Sequence, residues 1–160
     1  MSSRVLVANP KKCTGCGLCR IVCAMEKSGI GSPIRSRIRV IRLKREGQYL
    51  PVICQHCQDA PCMTVCPKKA IHRDDLLKKV TVDYDLCISC KMCLAACPFG
   101  AIGFDSERQT VFKCDHCNGD PKCVQYCFYE ALDFVEDYRQ QFPNIRIAAL
   151  QYAGRGGKQI

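Results

Sequence analysis

Apolar residues in this chain come in short runs separated by Gly, Pro, Lys and Cys, and the same arrangement recurs four times. Four runs have the length and β-branched or aromatic content of short strands: Val5 to Val7, Tyr49 to Ile53, Val80 to Val82 and Thr110 to Phe112. Each leads into a group of cysteines. Three further runs, Ala70-Ile71, Ala101-Ile102 and Ala131-Leu132, open with an alanine four residues beyond the last cysteine of a group. They read as strand starts that pair with the lead-in strands of a partner repeat, and the recurrence marks internal duplication. Between Ser28 and Ile53, Ile38 and Val40 alternate with Arg37 and Arg39, Glu46-Gly47 reads as a turn, and Tyr49 to Ile53 returns, which predicts a β-hairpin. No apolar run approaches the roughly 18–20 residues that span a bilayer.

Cysteine chemistry changes the picture most, because the chain has 16 cysteines in 160 residues. Cys13, Cys16, Cys19 and Cys23 follow C-x2-C-x2-C-x3-C, as do Cys87, Cys90, Cys93 and Cys97. Cys54, Cys57, Cys62 and Cys66, and again Cys114, Cys117, Cys123 and Cys127, lengthen the middle gap. A disulfide framework fits poorly, since cysteines three apart converge on a metal more readily than they pair with distant partners. Four all-cysteine zinc sites would also use every sulfur, but zinc sites favour two separated C-x2-C knuckles. Three cysteines on one loop and a fourth on the next turn suit the corner-by-corner grip of a cubane iron–sulfur cluster.

Charge reads differently once clusters are included. The formal net charge of +9 counts every cysteine as neutral, whereas an oxidised four-thiolate [4Fe-4S] site carries about −2, so four of them bring the protein near about +1. The apparent basicity therefore offsets cluster charge. With no helix-turn-helix pattern, no aromatic stacking motif and no tryptophan, nucleic acid is not the expected partner. Arg35, Arg37, Arg39 and Arg42 of the hairpin are read as a solvated strand face, in preference to a patch for an acidic partner. The amino-terminal residues show no apolar export run and no twin-arginine pair, which leads to the expectation of a cytoplasmic protein without direct membrane insertion.

Proline follows the last cysteine in Cys66-Pro67 and Cys97-Pro98, completing the ending C-x3-C-P of bacterial ferredoxins, while Ala24 and Phe128 follow Cys23 and Cys127. On these sixteen cysteines the chain resembles the four-cluster ferredoxin-type subunits found with molybdenum and tungsten enzymes, formate hydrogenlyase and carbon monoxide dehydrogenase. The resemblance covers residues 4 to about 135. It implies four [4Fe-4S] clusters, with the two central motifs paired and the outer two paired across them. One cluster would then be held by Cys54, Cys57, Cys62 and Cys97, and a second by Cys87, Cys90, Cys93 and Cys66. The third would be held by Cys13, Cys16, Cys19 and Cys127, and the fourth by Cys114, Cys117, Cys123 and Cys23. Spacing alone leaves open a pairing of the first group with the second.

The implied fold is α+β and loop-rich, with two tandem bacterial-ferredoxin-like modules related by a pseudo-twofold repeat and one inserted in the other. Residues 1–27 and 110–137 form the outer module, 28–53 the hairpin insertion, 54–109 the inner module and 138–160 a carboxy-terminal tail. The tail carries an apolar patch from Ile145 to Leu150 and reads equally as a core-packing element or a docking arm. His56 and His116 occupy equivalent places, CQHC and CDHC; since no sulfur is missing, they are assigned loop packing or hydrogen bonding beside a cluster rather than ligation. His72 is assigned to the surface.

No nucleotide-binding glycine motif and no nucleophile, base and orienter set is present. A cubane with four thiolates has no open iron position, so the expected role is one-electron relay by a non-catalytic subunit. The resemblance points to a catalytic oxidoreductase subunit and a further electron-transfer partner, with a tungsten or molybdenum enzyme such as an aldehyde oxidoreductase preferred. Hydrogenase, carbon monoxide dehydrogenase and benzoyl-CoA reductase complexes, a free polyferredoxin shuttle and a cluster-bearing nucleic-acid regulator are the alternatives.

Overall fold

Among the described residues each strand pairs antiparallel with a single neighbour, giving four separate two-stranded sheets rather than one continuous sheet. The computed structural model describes residues 4–43, 47–74, 76 and 78–136. In chain order the elements are β1 (Arg4–Ala8), α1 (Leu18–Ser28), β2 (Arg39–Arg42), β3 (Tyr49–Val52), α2 (Pro61–Thr64) and β4 (Ile71–Asp74). They continue with β5 (Lys79–Val82), α3 (Met92–Ala96), β6 (Ile102–Asp105), β7 (Thr110–Lys113), α4 (Lys122–Gln125) and β8 (Leu132–Glu136). The architecture is a small mixed helix and strand fold built from short antiparallel hairpins. Among the described residues no helix is long and apolar enough to cross a membrane.

The lead-in runs form β1, β3, β5 and β7, and the three alanine-led exits form β4, β6 and β8. Strand β4 pairs with β5, in register from Ile71 opposite Val82 to Asp74 opposite Lys79. Strand β8 closes on β1, with Leu6 opposite Phe134, and so joins the two ends of the described chain. Strand β6 pairs with β7, Ile102 opposite Lys113, so this hairpin crosses the boundary expected between residues 109 and 110. The three alanines, Ala70, Ala101 and Ala131, are all buried.

The first cysteine group departs from this plan. Instead of an exit strand, the helix-forming run Ala24 to Lys27 continues α1 to Ser28, where Gly29 at φ 70° ends it by donating its N–H to the Met25 carbonyl at 2.8 Å. The insertion does form a hairpin, with Arg39 opposite Val52 and Arg42 opposite Tyr49, and it is closed by the Leu43 N–H donating to the Gln48 carbonyl at 2.8 Å. Its ordered pairing begins at Arg39 rather than Arg37, and Glu46 of the expected turn lies outside the described residues, as does the whole tail 138–160.

The arginines of this insertion are not simply a solvated face. Arg35 pairs with Asp105 at 3.6 Å and with Glu107, Arg37 pairs with Asp115 at 3.0 Å, and Arg39 donates to the Ile102 carbonyl at 3.0 Å. They fasten the insertion to the rest of the molecule, while Arg42 stays exposed. Ile38, 1% exposed, anchors the same segment in a core with Leu6, Ile53, Leu132 and Phe134. A second core gathers Ile71, Val80, Val82, Ile102 and Val111. Both cores contain cysteines, so the apolar interior and the sulfur sites are one structure.

Gly103 shows how closely the sheets are packed, since a Cβ there would lie 2.3 Å from the ring of Phe112, its cross-strand partner. Gly103→Ala is expected to destabilise the protein by about 1–3 kcal/mol through overpacking. A lowered thermal midpoint of the iron-loaded protein checks this; an unchanged midpoint means the ring moves aside freely.

Candidate metal centres

Each cysteine loop turns on a residue in the left-handed region two positions after its first cysteine: Gly15 (φ 74°), His56 (43°), Ser89 (56°) and His116 (56°). A second left-handed residue stands three positions after the fourth cysteine in three groups: Lys69 (52°), Gly100 (59°) and Glu130 (49°). For a side-chain-bearing residue this backbone costs about 1–2 kcal/mol. Repetition at equivalent places shows that it is built in, and such turns make concave nests of N–H groups suited to anionic centres, iron–sulfur sites among them. Four N–H groups already donate to sulfur: Ala101 to Cys97 Sγ at 3.4 Å, Ala131 to Cys127 Sγ at 3.3 Å, Arg37 to Cys23 Sγ at 3.3 Å and His116 to Cys114 Sγ at 3.5 Å. These bonds favour the thiolate.

The loops surround four cavities of about 320–350 Å³ each, open solvent at their mouths included. Cys13, Cys16, Cys19 and Cys127 line the first cavity, beside Leu18, Val40 and Leu132. Cys54, Cys57, Cys62 and Cys97 line a second, with His56 and Lys113 in its wall. Cys23, Cys114, Cys117 and Cys123 line a third, with Asp115, His116, Lys27 and Arg37. Cys66, Cys87, Cys90 and Cys93 line the fourth. Three cysteines of one motif thus meet the fourth cysteine of another in every case, and none of these cavities mixes the first group with the second.

The exchange of fourth cysteines follows from helix geometry. The third cysteine of each group lies on a helix, Cys19 on α1, Cys62 on α2, Cys93 on α3 and Cys123 on α4. The fourth comes four residues later, one helical turn further along, where it reaches the neighbouring cavity. Helix α1 packs against α4, and α2 against α3, so the exchange is reciprocal within each helix pair.

The donor sets fit a cationic iron–sulfur core. Burial, followed by the neighbouring cysteines, pushes the Cys19 thiol up to about 11. Burial likewise holds Cys62 at about 11, against the opposing pull of Lys113, and Cys114 at about 12. Cys123 rises further for the same reason. Four crowded thiolates are therefore not a stable state of the bare chain, and a metal core that displaces the protons supplies the missing positive charge.

His56 and His116 lie between the second and third cavities, their ring centroids 4.0 Å apart. The Val80 N–H donates to His56 Nδ1 at 2.9 Å, which fixes that ring's orientation, and His116 meets Phe134 edge-on at 5.2 Å. His56, His116 and Cys114 each bring a ligand atom within 4.8 Å of the others. Cys114 shares its cavity with Cys23, Cys117 and Cys123, and the two rings pack where that cavity adjoins the next. His72 is exposed.

Two residues that sequence reasoning passed over complete the surroundings. Arg73, on β4, donates to the Cys57 carbonyl and to the Gln58 carbonyl at 2.9 Å, clamping that loop. Asp115 accepts from Lys27 and Arg37, each at 3.0 Å, and from the Cys117 N–H at 3.1 Å. Burial works against its charge, but Arg37 and Lys27 outweigh it and hold the carboxyl below its ordinary range. A depressed folded value contributes stability that is present above the unfolded pKa of about 3.9 and is lost as pH falls through the folded value. Asp115→Asn is expected to cost about 1–3 kcal/mol at neutral pH. Denaturant titrations should show the gap to the wild type closing below about pH 4; a gap independent of pH would mean the carboxylate charge is not what matters.

Comparison with known proteins agrees with this chemistry. Residues 45–137 match the 4Fe-4S dicluster domain. A polyferredoxin-like subunit of an aliphatic sulfonate oxidoreductase from Pyrococcus furiosus is 39% identical over 133 residues, which cover 81% of this chain and 76% of the relative. Formate hydrogenlyase subunit 2 of Escherichia coli is 32% identical, with 84% of this chain and 83% of that one covered. The BamBC active-site complex of benzoyl coenzyme A reductase contains a chain of the same fold, with a TM-score of 0.52 at 22% identity over 98% of this chain and 92% of that one. Sixteen cysteines in ferredoxin-like motifs correspond to four [4Fe-4S] clusters. Identity and coverage of this extent reflect common descent, and the chain belongs to the family of 4Fe-4S dicluster-domain proteins.

Proposed function

We propose that this protein is a non-catalytic subunit that relays single electrons between the catalytic subunit of a larger oxidoreductase and a second redox partner. When bound, [4Fe-4S] clusters supply reversible one-electron exchange without an open coordination position for substrate. The observation that carries the reading is that the four cysteine cavities form a row. Helices α1 and α4 join the first cavity to the third, the His56–His116 contact joins the third to the second, and α2 and α3 join the second to the fourth. Cys13, Cys16, Cys19 and Cys127 are assigned to one cluster; Cys23, Cys114, Cys117 and Cys123 to the next; Cys54, Cys57, Cys62 and Cys97 to the third; and Cys66, Cys87, Cys90 and Cys93 to the last. On this assignment residues 1–27 and 110–137 make an outer ferredoxin-like module into which the inner module, 54–109, is inserted.

The ends and the middle of the row differ as a relay requires. Cys16 and Cys90, one at each end, are exposed, whereas Cys54, Cys62, Cys114 and Cys123 in the middle are buried. At one end the exposed Tyr126 and Tyr129 line the first cavity, and at the other the exposed Ile88 lines the fourth. These apolar side chains exclude water once a partner covers them, while in the middle Phe99 of the second cavity is also exposed. A lone shuttle needs one accessible site; two accessible ends joined through a buried middle suit a chain held between two partners.

Relatives described as polyferredoxin-like subunits and as formate hydrogenlyase subunits support an oxidoreductase partner. Within that class we assign a tungsten or molybdenum enzyme, of which aldehyde oxidoreductase is the favoured example. Anaerobic purification from the native source, with iron, sulfide, zinc, tungsten and molybdenum measured together, tests this. About sixteen iron per chain with a coeluting tungsten- or molybdenum-bearing subunit is the expected result. The same iron content with no partner would make it a free polyferredoxin, and about four zinc with little iron would overturn the cluster reading.

A further inference from the structure

Among the described residues two lysines are buried, Lys79 and Lys113, at 5% and 3% exposure. Their surroundings differ. Lys79 donates to Asn118 Oδ1 at 2.7 Å and to the Asp115 carbonyl at 3.4 Å, and it lines none of the four cysteine cavities. Lys113 ends β7 one residue before Cys114, yet it lines the neighbouring cavity of Cys54, Cys57, Cys62 and Cys97. Its Nζ donates to the Val80 carbonyl and, at 3.5 Å, to the Cys114 carbonyl. Among the described residues it makes no ion pair with a carboxylate.

A buried ammonium with no carboxylate beside it is costly unless another anion offsets it. A four-thiolate cluster, with a charge of about −2 when oxidised and about −3 when reduced, is such an anion. The attraction is larger for the reduced form, and low local dielectric preserves it. The other cavities lack an equivalent. The cavity of Cys13 has no charged residue in its wall. In that of Cys23, Lys27 and Arg37 share the single carboxylate of Asp115, so one net positive charge is spread over side chains that are already paired and partly exposed, at 14% and 16%. Near Cys66, Lys68 and Lys91 are exposed, where water and salt screen them.

We propose that Lys113 is a buried counter-charge that raises the reduction potential of the cluster held by Cys54, Cys57, Cys62 and Cys97 above those of the other three, so that a single electron entering the row comes to rest at this inner position. The step adds one electron, delivered by the redox partner, with no bond made or broken and no proton taken up. Lys113 is a positioning residue for charge, and the proposal rests on the cluster assignment made above.

The test is an anaerobic redox titration of the iron-loaded protein, followed by electron paramagnetic resonance, with iron and sulfide measured on each sample. Cys54→Ala should remove the highest-potential signal. Lys113→Gln should make reduction of that centre at least tenfold less favourable, a shift of about 59 mV for one electron, and leave the other three unchanged. Lys113→Arg should restore most of the shift, and Lys79→Gln should leave all four centres in place. Unchanged potentials in Lys113→Gln, or an equal shift in Lys79→Gln, overturn the role of Lys113. A wild type with fewer than about sixteen iron per chain instead overturns the cluster assignment itself. If Lys113→Gln does not load iron, the wild type still decides: its highest potential should be insensitive to ionic strength, and a salt dependence equal to that of the other centres refutes the proposal.

Discussion

Replacing Cys66 and Cys87 together by alanine is expected to cost the protein no more iron than replacing either alone, whereas replacing Cys62 and Cys66 together should cost twice as much. The first pair is far apart in sequence but lines one cavity. The second pair is one helical turn apart, yet its members line different cavities, because Cys62, on α2, lines the cavity of Cys54, Cys57 and Cys97 while Cys66 lies past the end of that helix. A cluster that has lost one thiolate gains little from keeping the other three, so ligands of one cluster behave as a unit. Iron should fall from about sixteen per chain to about twelve in the single variants and in Cys66/Cys87, and to about eight in Cys62/Cys66. If Cys62/Cys66 retains as much iron as either single variant, each motif holds its own cluster and the exchanged assignment is wrong.

Removing the iron is expected to unfold the protein rather than leave a folded apoprotein. Each sheet has two strands, and isolated two-stranded hairpins are marginal at best in water. Among the described residues Leu6, Ile38, Val80 and Val111 are the largest side chains that are fully buried, a small apolar interior. Buried cysteines occupy both cores, and without metal their thiols lose the bonds that hold the loops together. The left-handed backbone at His56, Ser89 and His116 also needs an offsetting interaction. Oxidation with a chelator should therefore abolish the cooperative thermal transition and most of the far-ultraviolet circular dichroism. An apoprotein that keeps both would place the stability in the apolar core instead.

Particular elements show where sequence and structure part. The lead-in at Val80 to Val82 and the exit at Ala70-Ile71 were legible because a short β-branched run before a cysteine group, and an alanine four residues after one, recur along the chain, and they pair as β5 with β4. The pairing of β6 with β7 across the expected module boundary was not, since an exit strand carries no mark of which lead-in it will meet. Helix α1 escaped notice because its cysteines dominate the pattern and its apolar residues Ile21 and Met25 remain exposed. Arg35 and Arg37 looked like a solvated face because the acids that hold them, Asp105 and Asp115, lie 70 and 78 residues further along the chain. Nothing in the local sequence distinguishes Lys113 from Lys122, which pairs with Asp120 at 2.6 Å.

Residue type and spacing set the chemistry: the number of thiols, their placing on loop and helix, and hence the kind of metal centre. Those properties are local, set by residue type and by the few bonds between neighbouring cysteines. The tertiary structure alone decided which fourth cysteine meets which loop, the order of the cavities in a row, and the placing of His56, His116 and Lys113 between them. These depend on how helices pack and hairpins close over long stretches of chain, where many sequences of contacts satisfy the same local pattern and only the joint burial of the whole selects one.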